Sequence, residues 1–236
     1  MSFLTKLIQN KQNNEKGIGV LLDPDKIDPS TFLKKIIEIE KIGITCWLVG
    51  GSLLFQGNFE STIRLLKEHS SLPVLIFPGN NLQVSSSADA ILFLSLLSGR
   101  NPEFLIGQHV IAAPFIRQTN LEVIPTAYLL VDSGNLTTAH YMSHTLPIPY
   151  DKPEIAACTA LAGSYLGFQV IYMDGGSGAK QPISNEMIHA VREYVNLPII
   201  VGGGIQTKEQ VQNLWNAGAD IVVIGTAIEK GNLNNW

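Results

Sequence analysis

Short apolar runs rich in branched residues recur along the chain at 19–22, 45–49, 74–77, 90–94, 127–131, 169–173, 199–201 and 221–224. Each is bounded by turn-forming residues, which is the pattern of a buried strand. Between them, 29–42, 59–70, 153–166, 183–195 and 207–217 carry apolar residues at helical spacing, with Pro, Ser or Thr near several starts. Strand alternating with helix predicts a parallel sheet. Eight such units in 236 residues predict closure into a (β/α)8 barrel, a single domain spanning 1–236. No GxGxxG turn follows the first strand, which disfavours an open dinucleotide-binding sheet.

Two units break the pattern. Pro78-Gly79-Asn80-Asn81 leads into a short Ser-rich stretch at 82–88, so the third outer position predicts a loop or partial helix. Residues 132–152, with Gly134, Pro147 and Pro149, show no sustained period and predict a long loop able to cover a ligand. The stretch 153–167 concentrates Ala and Gly on one helical face, which could line an apolar groove or let a helix approach the barrel closely.

Charge and composition narrow the partners. A net charge of −4 with no local run of Lys and Arg argues against a nucleic-acid surface. Cys46 and Cys158 lack the spacing of a disulfide framework or zinc site, so a reducing cytoplasm is the expected location. The amphipathic start, MSFLTKLIQNKQNNEKG, is broken by polar residues, and no apolar run approaches the roughly 20 residues of a membrane helix. Peripheral contact with a membrane stays open.

The chemistry gathers at strand ends. Three glycine-bearing turns follow the last three strands, at 171–178, 199–205 and 221–226. Loops after the seventh and eighth strands often bind phosphate in this architecture, and Gly203, Gly204, Gly225 and Thr226 occupy those positions. Ser177 and the backbone of Gly175, Gly176 and Gly178 add donors from the sixth loop. Tyr172 and Asp174 flank Met173 at the end of the sixth strand, so both project to one face. There the carboxylate suits a base for a substrate hydroxyl, the alternative being ring packing and a turn cap. Asp23 ends the first strand within LLDPDK and could hold Mg²⁺, or cap the turn before the next helix. Ser52, in LVGGS, ends the second strand on the same rim, where it could share that metal or cap the next segment. The scattered histidines at 69, 109, 140, 144 and 189 read as ordinary polar residues.

Taken in order, LLDPDK, LVGGS, PIPYDKPEIAACTALAGSYLG, YMDGGSGA, VGGGI and VIGTAIE resemble the geranylgeranylglyceryl phosphate synthase family along nearly the whole chain. The resemblance implies a barrel with an altered third helical position. It also implies Mg²⁺-dependent transfer of a prenyl group, usually geranylgeranyl, from its diphosphate to the C3 hydroxyl of sn-glycerol 1-phosphate. By position it makes Asp23 and Ser52 the Mg²⁺ residues. It gives Tyr172, Met173, Asp174, Gly175, Gly176, Ser177, Gly178, Gly203, Gly204, Gly225 and Thr226 to glycerol phosphate, with Asp174 and Tyr172 at the chemistry. The prenyl tail is expected along the Ala-rich helix and the loops above the barrel, and a homo-oligomer is implied. Two departures stand out: many members carry glutamate where this chain has Asp174, and Asp132-Ser133-Gly134-Asn135 is unlike the Pro- and Gly-containing turn of relatives. A phosphate-binding barrel isomerase or lyase, with Lys26 or Lys180 as candidate reactive groups, and a non-catalytic phosphate-binding protein are the alternatives.

Overall fold

Each apolar run becomes a strand: β1 (Gly17–Leu22), β2 (Cys46–Val49), β3 (Val74–Ile76), β4 (Ala90–Leu96), β5 (Glu122–Leu130), β6 (Val170–Asp174), β7 (Ile199–Gly202) and β8 (Ile221–Ile224). In this computed structural model, which describes residues 1–229, the strands are parallel and pair in sequence order, with β8 closing onto β1. Residues 230–236 of the expected 1–236 domain lie outside the described residues.

Strand alternation divides the core in two. Cys46 and Leu48, Val170 and Tyr172, and Ile221 and Val223 point into the barrel, while Trp47 and Val49, Ile171 and Met173, and Val222 and Ile224 point out to the helices. The outer layer holds α2 (Pro29–Glu40), α3 (Phe59–His69), α4 (Gln108–Ile116), α6 (Pro153–Tyr165), α7 (Asn185–Tyr194) and α8 (Lys208–Ala217). Local signals set their starts: Ser184 accepts from the Met187 amide, and Thr207 and Gln210 form a reciprocal capping box on α8. α9 (Thr226–Glu229) follows the last strand.

Four features depart from the periodicity. The amino terminus forms α1 (Phe3–Gln12), which buries Leu7 in the inner cluster and closes the N-terminal end of the barrel. Its first amides, on Phe3 and Leu4, donate to the Glu122 carboxylate at 2.6 and 2.9 Å, placing negative charge at the positive end of the helix dipole. β5 begins at Glu122, ahead of the expected 127, and contains Pro125; the missing N–H is tolerated where β6 has not yet begun to pair, since that register starts at Thr126. A π-helical turn (Glu103–Gly107) runs into α4, which the sequence pattern did not show because QHVIAAPFI is apolar around its whole circumference. Inside 132–152 lies α5 (Thr138–Ser143), closed by a capping box between Thr137 and His140.

The third connection, 77–89, carries no helix, as its composition predicts. The Ala-rich α6 follows the close-packing reading: a Cβ on Gly163 would stand 3.0 Å from both Ala127 and Leu97. Among the described residues no helix is long and apolar enough to cross a membrane.

Candidate active site

All eight strands present their C-terminal ends on one face, and the loops there enclose a cavity of about 470 Å³. Asp23, Ser52, Tyr172, Asp174, Gly176, Ser177, Gly178, Gly203, Gly204, Gly225 and Thr226 all line it. The structure thus brings together residues from the first, second, sixth, seventh and eighth loops. Thr138 and Ala139 of α5 line it too, so part of the 132–152 segment stands over the site as expected.

Two expected residues stand apart from the lining. Met173 is buried among the outer cluster, because its position on β6 is the alternate one to Tyr172 and Asp174, and its side chain does not line the cavity. Gly175 lies outside the lining as well. Its amide extends the sheet by donating to Gly202 O at 3.0 Å, and a Cβ there would meet Ala179 and Ser133 at 3.3 Å.

Asp174 is 7% exposed, and both carboxylate oxygens are engaged. Tyr128 Oη donates to Oδ2 at 2.6 Å, and the Gly176 amide donates to Oδ1 at 2.8 Å. The turn-cap contact is therefore present, through the Gly176 amide. Burial raises the Asp174 pKa above the ordinary 3.8, against the opposing pull of the Tyr128 and Gly176 hydrogen bonds and of His140. Burial, reinforced by the Asp174 charge, pushes both Tyr128 and Tyr172 well above 10, so both phenols stay protonated at neutral pH. Tyr172 is 1% exposed and stacks with Phe77 and Tyr128 at centroid distances of 4.8 and 5.8 Å. Its hydroxyl has no hydrogen-bond partner among the described residues. Tyr128 was missed from the sequence, although it pairs in register with Tyr172 across β5 and β6.

The candidate cradle after β7 and β8 is built by backbone. Gly203 and Gly204 take φ of +91° and +73°, conformations that side chains disfavour. A Cβ at Gly203 would meet the Gly175 amide nitrogen at 2.8 Å, and one at Gly204 would meet Gln181 O at 2.4 Å. Among the described residues the amides of Gly203, Gly204, Gly225 and Thr226 make no hydrogen bond, which leaves four donors around one side of the cavity.

Across the mouth, Asp23 both caps and faces the cavity. Its Oδ1 accepts from the Asp25 amide at 3.2 Å, and its Oδ2 pairs with Lys26 Nζ at 3.2 Å. Lys26 also pairs with Glu229 at 3.1 Å, and all three side chains line the cavity. Burial works against the Lys26 charge, but the Glu229 and Asp23 carboxylates outweigh it and raise its pKa. One carboxylate and the Ser52 hydroxyl are hard oxygen donors of the kind Mg²⁺ accepts. No group of three or more His, Cys, Asp or Glu able to hold a metal occurs among the described residues. A cation here would draw its remaining oxygens from water and substrate phosphates, which is how Mg²⁺ is usually held; the donor set fits.

A second, narrower crevice of about 120 Å³ adjoins the first and shares Gly51, Ser52, Phe77, Tyr128 and Ala139 with it. Its depth is apolar, with Val84, Ile91, Phe93, Leu96, Phe104 and Ile116 among its walls. It runs where the third helix is missing, between the 77–89 connection and α4. No residue of the Ala-rich α6 lines it.

A sequence profile described as the PcrB family matches residues 10–235. The geranylgeranylglyceryl phosphate synthase of Spirosoma linguale is 50% identical over 227 residues, 96% of this chain and 91% of that one. That of Thermococcus gammatolerans is 46% identical over 226 residues, 95% of this chain and 89% of its own length. Among solved structures, (S)-3-O-geranylgeranylglyceryl phosphate synthase from Thermoplasma acidophilum in complex with its substrate sn-glycerol-1-phosphate superposes with a TM-score of 0.91 at 34% identity, covering 98% of this chain and 92% of that one.

Proposed function

The chain belongs to the PcrB family, and on that footing we propose that it joins the C3 hydroxyl of sn-glycerol 1-phosphate to geranylgeranyl diphosphate or a similar prenyl diphosphate. The products are an ether-linked prenylglyceryl phosphate and diphosphate. One observation carries the reading: a cavity with unpaired backbone amides along one side adjoins a narrower apolar crevice, the two sharing Ser52, Phe77 and Tyr128. A substrate pair with one phosphate head and one long hydrocarbon tail matches both halves.

In this reading the amides of Gly203, Gly204, Gly225 and Thr226 hold the glycerol phosphate, with Ser177 beside them. Anchoring the phosphate directs the far end of the glycerol toward the rim carboxylate of Asp174. The crevice takes the prenyl tail and leaves its diphosphate at the mouth near Asp23, Ser52 and Lys26. Mg²⁺ held by Asp23 and Ser52 would neutralise charge on the diphosphate. The C3 oxygen forms a bond to C1 of the prenyl chain as the C1–O bond to diphosphate breaks, and Asp174 accepts the hydroxyl proton. Tyr128 and Gly176 fix the carboxylate for that transfer, and the aromatic wall of buried Tyr172 with half-buried Phe77 and Tyr128 limits access of water. The free cysteines, Cys46 buried and Cys158 exposed, suit a reducing cytoplasm.

Transfer of labelled sn-glycerol 1-phosphate into an organic-extractable product tests the proposal, using several prenyl lengths, with and without Mg²⁺, and sn-glycerol 3-phosphate as control. Mg²⁺-dependent product from the 1-phosphate alone is expected. Folded protein that binds the phosphate and yields no product at any length would point to the binding-protein alternative.

Two substitutions probe the parts. Ser177→Asp should weaken glycerol phosphate binding about tenfold or more through like-charge repulsion beside the cradle. Unaltered affinity in calorimetry would remove Ser177 from the site. Tyr128→Phe removes a hydrogen bond that lowers the Asp174 pKa. Because the base works only when ionised, activity falls as pH drops through that pKa, so the acid limb of kcat/KM should move to higher pH in the variant. An unmoved limb would mean that Asp174 is not the titrating base.

A further inference from the structure

Lys26 stands between two carboxylates on the rim of a cavity that must receive anions. Its ammonium lies 3.2 Å from Asp23 Oδ2 and contacts both oxygens of Glu229, at 3.1 and 3.4 Å. The Lys26 side chain is 46% exposed and Glu229 is 19% exposed, so the lysine can swing on its stem while the glutamate remains a fixed holding point. Asp23 has no idle oxygen: Oδ1 accepts from the Asp25 amide and Oδ2 is covered by Lys26. The neighbouring Asp25 is not a substitute, because its own carboxylate accepts from the amides of Phe55 and Gln56. A divalent cation and an ammonium cannot both sit on Asp23 Oδ2 without strong repulsion.

We propose that Lys26 is a displaceable counter-cation. It neutralises Asp23 in the substrate-free protein, yields that carboxylate when a divalent cation arrives, and then faces the diphosphate from its Glu229 tether. This inference rests on the metal and diphosphate placement given above and adds an order to it. Cation and diphosphate bind cooperatively, since the cation frees the lysine and the freed lysine adds positive charge where diphosphate lands. Lys26 thereby acts as a positioning residue that suppresses metal binding to an empty site, and Glu229 keeps it within reach.

The test uses Mn²⁺ and inorganic diphosphate as probes of the intact protein, with bound Mn²⁺ followed by loss of the free-ion electron paramagnetic resonance signal and diphosphate by calorimetry. Lys26→Met should tighten Mn²⁺ binding without diphosphate about three- to tenfold, and weaken diphosphate binding in the presence of Mn²⁺ about tenfold or more. Glu229→Gln, which leaves Lys26 to Asp23 alone, should move Mn²⁺ affinity the opposite way. General damage to the site would not tighten a ligand, so the first change separates the proposed role from a structural one. If Mn²⁺ binding requires Asp23 yet is equal in wild type and Lys26→Met, the counter-cation role is overturned while the metal assignment stands. If no Asp23-dependent Mn²⁺ binding occurs in wild type or either variant, with or without diphosphate, both fall.

Discussion

Asp23→Asn should abolish prenyl transfer, lowering kcat by a factor of about 10³ or more, while leaving the barrel folded. The two consequences separate because Asp23 does two jobs. As a cap, its Oδ1 accepts from the Asp25 amide, and an asparagine carbonyl can accept the same bond. Its ion pair with Lys26 is solvent-accessible and worth about 0–1 kcal/mol, and Lys26 keeps Glu229. Little stability is therefore lost. The charge is another matter, since Asp25 is committed to the Phe55 and Gln56 amides and Asp174 is held on the far side by Tyr128 and Gly176. Glu229, the other carboxylate on that wall, is committed to Lys26. Thermal unfolding and the transfer assay over a Mg²⁺ series read the two jobs independently. An active variant with unchanged Mg²⁺ dependence would remove the metal role from Asp23.

Why the site was more legible than parts of the fold is visible in particular residues. Asp23, Ser52 and the glycines at 203, 204 and 225 sit at strand ends, and a strand end is fixed by both the apolar run before it and the turn after it. Alternation then placed Tyr172 and Asp174 on one face of β6, and the same rule, applied to Met173, excludes its side chain. Position along a motif and direction of a side chain are different information. Gly175 shows the limit from the other side: it reads as a cradle glycine, yet its amide is spent on Gly202 O.

The features that escaped the sequence are those set by tertiary partners. α4 is apolar on every side, so no stripe distinguishes a helix from a buried run, and Pro114 argues locally against one. α5 has six residues, too few to express a period. α1 needs the barrel floor and the Glu122 carboxylate to define it. Tyr128 becomes significant only through its register opposite Tyr172, and strand register between distant segments is not written in either segment alone. The course of the apolar crevice depends on the same α4, so the strand-and-helix pattern does not reveal it.

Asp174→Asn should lower kcat by about 10²- to 10⁴-fold with a much smaller change in glycerol phosphate affinity, the signature of a lost proton acceptor. In the proposed binding mode the phosphate is held by backbone amides that the substitution does not touch. The carboxylate, in contrast, is held at both oxygens, and asparagine offers only one acceptor to the Tyr128 hydroxyl and the Gly176 amide. One buried donor then loses its partner, at a cost of about 1–3 kcal/mol, partly offset because a buried charge is removed as well. A modest fall in melting temperature with a large fall in turnover is the expected pair. Asp174→Glu separates charge from reach. It restores an ionisable group one methylene longer and should recover most of the lost rate if the surrounding loop adjusts to the added length. Its acid limb should return with it, since a carboxylate again titrates under the same burial that raises the Asp174 pKa. Equal rates for wild type and Asp174→Asn would show that the hydroxyl loses its proton elsewhere. The tight Tyr128 and Gly176 contacts would then serve only to shape the turn that leads from β6 into the cradle.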